Sequence, residues 1–142
     1  MSRRTILGAA VATAALLTAG GSATASLESP DARSLEILSP RAGATVGPSV
    51  RLVVKVSGFA LHRPNGDTSG RTGHLHAFVD RKTLPPAEQI ILESARTLDF
   101  WTSRLTIRGL KRGRHTILVV ASDGYRVPFR PQVWDRVAVN VK

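Results

Sequence analysis

Two histidines separated by a single residue, His74 and His76, carry the strongest chemical signal in the chain. On a β-strand, residues i and i+2 point to the same face, so two imidazoles at this spacing stand roughly 7 Å apart at their roots. Both rings can then reach one ion. Neutral imidazole nitrogen suits Zn(II) or Cu(II), and His-x-His is a common ligand pair for either. The strand itself is read from the neighbours: Leu75, Ala77 and Val79 form an apolar set of the opposite parity. Those three face the core, which turns His74 and His76 outward. The plain alternative is a pair of outer-face histidines without a ligand.

His115 is the candidate third metal ligand, because its strand is expected beside the one carrying the His pair. Parity opposes that role, since His115 is in step with the apolar set Ile117, Val119 and Ala121. Convergence would need a bulge or a strand-end position. The competing reading makes His115 a corner residue that ties the preceding loop to the backbone. Asp80 shares parity with the pair but lies about 13 Å from His76 along a straight strand, which makes it a turn residue. Asp67 and Asp123 are loop acids without a stated partner.

Composition narrows the remaining chemistry. The 142 residues contain no cysteine, which excludes disulfides, thiolate zinc sites, iron–sulfur clusters and a Cys nucleophile. The only methionine is Met1. No Gly-x-Ser-x-Gly elbow, phosphate loop or His-Glu-x-x-His pattern occurs. A binding module is expected rather than an enzyme.

Charge suggests a second kind of site. Lys and Arg number 20 against 10 acids, a net charge of +10. Five of these bases, Arg104, Arg108, Lys111, Arg112 and Arg114, fall within eleven residues. Such a patch attracts anions through its long-range field. Outside the cytosol the matching partners are cell-wall polymers, acidic polysaccharide or anionic lipid, not nucleic acid. A solvated corner, or a module whose ligand is another exported protein, is the alternative. A monomer is expected.

The elements that must position these groups follow an export signal. Arg3 and Arg4 form a positive start, residues 5–19 are uncharged and apolar-rich, and Ala23-Thr24-Ala25 supplies small residues for cleavage. The apolar run is about 15 residues, short of the roughly 20 needed to span a membrane. Residues 1–25 therefore read as a signal peptide, of the Sec or the twin-arginine type. The expected location is periplasmic, cell-envelope or secreted. Its removal leaves 18 bases against 10 acids, a charge of +8. Residues 26–33 read as a flexible leader and residues 34–142 as one domain.

Within that domain, short β-type runs recur between turn signals. They are expected at 34–38, 50–57, 74–80, 89–92, 104–108, 115–121 and 133–141. Residues 87–95 are the one place where a helical turn is plausible. In 50–57, Val50, Leu52, Val54 and Val56 face one way, with Arg51 and Lys55 opposite. The last run places Val137, Val139 and Val141 inward and Arg136 and Asn140 outward. About seven strands in this length predict an all-β immunoglobulin/fibronectin-III-like sandwich, with a small barrel as the competing fold.

The Gly109-Leu110-Lys111-Arg112-Gly113 corner, followed by a long strand ending in Asp123-Gly124, looks like the E-to-F corner of fibronectin type III and bacterial Ig-like modules. The run from Gly73 to Asp80, then Gly113-Arg114-His115-Thr116, resembles exported bacterial Ig-like proteins of uncharacterised function. These carry a Gly-His-x-His strand with an apolar-Asp ending and a later Leu-x-x-Gly-x-His corner. The resemblance covers most of residues 35–141 and implies export and the sandwich fold, with no activity attached. Some of these proteins place a further His near the end of the second strand, where this chain has Gly124-Tyr125.

Overall fold

A computed structural model describes residues 32–142. The expected signal peptide and residues 26–31 of the expected leader lie outside the described residues. Arg33, at the leader's end, is anchored: its Nε donates to the Gly70 carbonyl at 3.1 Å, and its guanidinium lies 4.7 Å from the Phe129 ring centre.

The described residues are all β, with no helix. Nine strands run in the order β1 (Ser34–Ser39), β2 (Ala44–Val46), β3 (Val50–Ser57), β4 (Ala60–Leu61), β5 (Thr72–Val79), β6 (Thr97–Phe100), β7 (Arg104–Ile107), β8 (Gly113–Ser122) and β9 (Trp134–Val141). One sheet has the order β1-β3-β7. The other has the order β2-β9-β8-β5-β4, with β6 joining β4 along the free edge of β5. The two sheets form a β-sandwich around a core that includes Leu52, Val54, Leu75, Ala77, Ile117, Val119, Val137 and Val139.

The period-two patterns account for these faces. In β3, Val50, Leu52 and Val54 are buried and Arg51 and Lys55 exposed. In β9, Val137, Val139 and Val141 are buried while Arg136 and Asn140 are exposed. Burial of each such side chain contributes roughly 1.5–3 kcal/mol, which fixes the parity of every long strand.

Three short strands were not expected, and one expected strand is absent. β2 lies in a Pro- and Gly-rich stretch and pairs in parallel with the end of β9. β4 has only two residues. β6 contains Asp99, a residue type depleted in strands, so its propensity gives no signal. Residues 89–92 are irregular, and no helical turn forms over 87–95. Instead the loop between β5 and β6 folds back across the outer face of the larger sheet. There Leu84 and Ile91 pack on Phe78, Leu118 and Val120, making a second, smaller core. The Ile91 amide donates to the Arg126 carbonyl at 2.9 Å rather than to a ladder partner. This outer layer covers Phe78 on the outer face of β5, whose inner face packs in the main core.

Candidate metal centre

His74 and His76 share the outer face of β5, as their parity requires, but both are fully buried. The outer face expected for them is itself closed to solvent at this point. Gly73 opens the pair for a steric reason. A Cβ there would stand 2.5 Å from the Ser122 carbonyl oxygen and 2.6 Å from the Phe129 ring. Only glycine lets β5 approach so closely at this point.

Neighbouring strands complete the cluster. His74 pairs with Ser122 on β8, and His76 pairs with Val120 on β8 and Asp99 on β6. The two ring centres are 4.8 Å apart, with planes inclined at 59°. His74, His76 and Asp99 each offer one ligand atom, and these atoms lie within 4.8 Å of one another.

Ser122 organises the rings. Its Oγ lies 2.9 Å from His76 Nε2 and 3.4 Å from His74 Nε2, and its own hydroxyl reaches the Asp123 carbonyl at 3.5 Å. A hydroxyl has one donor and two acceptor positions. With its proton directed to Asp123, Ser122 can accept from the Nε2–H group of either ring. His74 Nδ1 is buried and has no hydrogen-bond partner. His76 Nδ1 is 2.6 Å from Asp99 Oδ1, a close polar contact between two buried side chains. The second oxygen, Asp99 Oδ2, faces Arg126 Nε at 3.0 Å.

Burial, then the neighbouring His76, lowers the pKa of His74 to about 4, so its ring is neutral near pH 7. Burial pushes Asp99 upward most strongly, but His76, Arg126 and His74 together override it and hold the carboxyl below its ordinary value. Asp99 is therefore an anion in a buried place, balanced on one side by Arg126. That arginine sits at φ 65°, a left-handed conformation uncommon outside glycine. Its turn is held by Asp123 Oδ1, which accepts from the amides of Tyr125 and Val127 at 2.8 and 3.0 Å.

Ser122, His76 and Asp99 also stand in the order of a nucleophile–base–acid chain. The Ser122 side chain is fully buried, so its oxygen is not open to a substrate.

His115 does not join this centre, which corrects its candidacy as a third ligand. It lies seven residues from Ser122 along β8 and pairs with Val139, in step with the core-facing Ile117, Val119 and Ala121. Both ring nitrogens are engaged: Nδ1 lies 2.8 Å from Asp80 Oδ2, and Nε2 lies 2.7 Å from the Lys111 carbonyl. The corner role holds, and Asp80 joins it. Asp99 is the third member of the cluster, from a strand the sequence did not announce.

The five clustered bases are all exposed. Arg104 lies on β7 opposite Val53, sharing a surface depression with Arg51. Arg108 lies just beyond β7, and it lines a cleft with Lys111. Arg112 and Arg114 lie outside that cleft's lining.

No family model matches the chain. No curated protein matches it either. A solved structure of an engineered protein is similar over 80% of this chain, at 14% identity and a TM-score of 0.47. The chain spans 21% of that protein's length.

Proposed function

We propose that the protein is an exported β-sandwich binding module that holds one divalent transition-metal ion, Zn(II) or Cu(II), between His74, His76 and Asp99. One observation carries this reading. A single hydroxyl, Ser122 Oγ, lies within hydrogen-bond reach of both buried Nε2 atoms, while His74, His76 and Asp99 bring one ligand atom each to within 4.8 Å of one another. Ligating histidines characteristically have their second nitrogen fixed in this way. Two imidazoles and one carboxylate suit Zn(II) or Cu(II), with metal–ligand distances of about 2.0–2.2 Å. Around one ion at such distances, ligand atoms can stand at most about 4.2 Å apart. The widest pair in the cluster therefore closes slightly on binding, by small ring rotations. Arg126, by holding Oδ2, leaves Oδ1 as the oxygen available to an ion.

The test is calorimetric titration of untagged, chelator-treated protein with Zn(II) and Cu(II), with circular dichroism to confirm folding. One ion per chain is expected to bind saturably. Asp99→Asn, nearly isosteric, should weaken binding at least tenfold, and His115→Gln should leave it unchanged. A folded protein that takes up neither ion, or an Asp99→Asn variant with undiminished affinity, would make the cluster a buried polar network alone. Export rests on the N-terminal segment. Recovery from the envelope or medium of a chain beginning at Ser26 tests that part.

A further inference from the structure

The sandwich is open along one side. β6 is an edge strand of the larger sheet and β7 the edge strand of the smaller. Between them lies a cleft of about 430 Å³, at the end of the sandwich where the corner before β8 turns. That volume falls in the range of small-molecule sites.

Its walls have two characters. Leu98 from β6, Ile107 from β7 and Leu110 from the corner give an apolar floor continuous with the core. Arg96, Arg108 and Lys111 stand at the exposed rim. None of the three forms an ion pair among the described residues.

The acid in the cleft is already committed. Asp80 Oδ2 faces His115 Nδ1 at 2.8 Å, and Oδ1 accepts from the Thr116 amide at 3.0 Å. His115 faces an acceptor on each nitrogen, a carboxylate and the Lys111 carbonyl. Both oxygens of Asp80 are thus already bonded, and against this one acid the cleft carries three rim cations, Arg96, Arg108 and Lys111.

We propose that this cleft binds a small amphiphilic anion, its carboxylate or phosphate held by Arg96, Arg108 and Lys111 and its hydrocarbon body lying on Leu98, Ile107 and Leu110. The division of labour follows from the walls. Arginine forks match carboxylate and phosphate oxygens, while the apolar floor gains only from a ligand with carbon to bury.

The probes are octanoate and octyl phosphate, titrated into the untagged protein and followed by amide shifts of Leu98, Ile107 and Leu110. Saturable binding is expected for both. Acetate, inorganic phosphate and octanol, each lacking one half of the ligand, should bind at least tenfold more weakly. The double variant Arg96→Gln/Arg108→Gln should lose at least tenfold in affinity for octyl phosphate while keeping its fold and its metal uptake. Vesicles containing phosphatidylglycerol separate two sources of the same chemistry. Vesicle binding displaced by octyl phosphate assigns a membrane lipid, and no vesicle binding beside saturable octyl phosphate assigns a free amphiphile. The proposal falls if octyl phosphate does not saturate, if inorganic phosphate binds equally well, or if the double variant binds like the parent.

Discussion

His76 and Asp99 stand directly opposite each other on adjacent antiparallel strands, and His76 Nδ1 lies 2.6 Å from Asp99 Oδ1. The other ring nitrogen, Nε2, lies 2.9 Å from Ser122 Oγ on the strand to the other side. His76 is thus held between a carboxylate and a hydroxyl in a fully buried place.

Ser122 should therefore matter more to the metal than its size suggests. Ser122→Ala removes the hydroxyl within hydrogen-bond reach of both buried Nε2 atoms. Loss of such a partner typically costs about 10–100-fold in metal affinity. Leaving the groups unsatisfied costs about 1–3 kcal/mol in the metal-free fold. Zn(II) titration and urea denaturation of the variant measure the two effects separately.

Acid should destabilise the metal-free protein through His74. Its folded pKa of about 4 lies below the ordinary 6.5, so the unfolded chain binds the extra proton over that interval. Stability then falls as pH drops from 6.5 toward 4, by an amount on the order of 3 kcal/mol for a shift of this size. Denaturation in chelator-containing buffers across this range measures the slope. A His74→Gln variant, with nothing to titrate there, should show a flatter profile.

Gly73 is constrained by space. Gly73→Ala would drive a methyl group against the Ser122 carbonyl and the Phe129 ring. Overpacking of this kind costs about 1–3 kcal/mol. Because the displaced carbonyl belongs to Ser122, metal affinity should fall together with the melting temperature, which titration and thermal denaturation together would show.

The His115–Asp80 pair should give a bounded pH window. Asp80, then the Lys111 carbonyl, raise the His115 pKa above 6.5. Its contribution is complete below pH 6.5 and is lost as pH rises through the folded value. Burial pushes Asp80 upward, but the Thr116 amide and His115 outweigh it and lower its pKa below 3.8. Its contribution is complete above pH 3.8 and is lost as pH falls through the folded value. The destabilisation caused by His115→Gln, about 1 kcal/mol by the usual worth of such bonds, should be largest between pH 3.8 and 6.5. It should shrink on either side in paired denaturation curves.

The sequence by itself determined what alternation can determine. Period-two patterning in β3 and β9, with the apolar set Leu75, Ala77 and Val79 in β5, set the all-β class, the inward sets and the shared face of His74 and His76. It also opposed His115 as a ligand, because a side chain in step with Ile117 and Val119 cannot turn to the outer face without a bulge. Tertiary structure alone decided the rest. Asp99 sits in a four-residue strand whose composition argues against a strand, and it meets His76 only because β6 pairs with β5. Ser122 reaches His76 across 46 positions of sequence. The packing of Leu84 and Ile91 on the outer face, against Phe78, Leu118 and Val120, is likewise encoded by no local periodicity. Alternation records which side of a strand a residue faces. The identity of its neighbours on that side depends on strand order, and strand order is settled by contacts between distant parts of the chain.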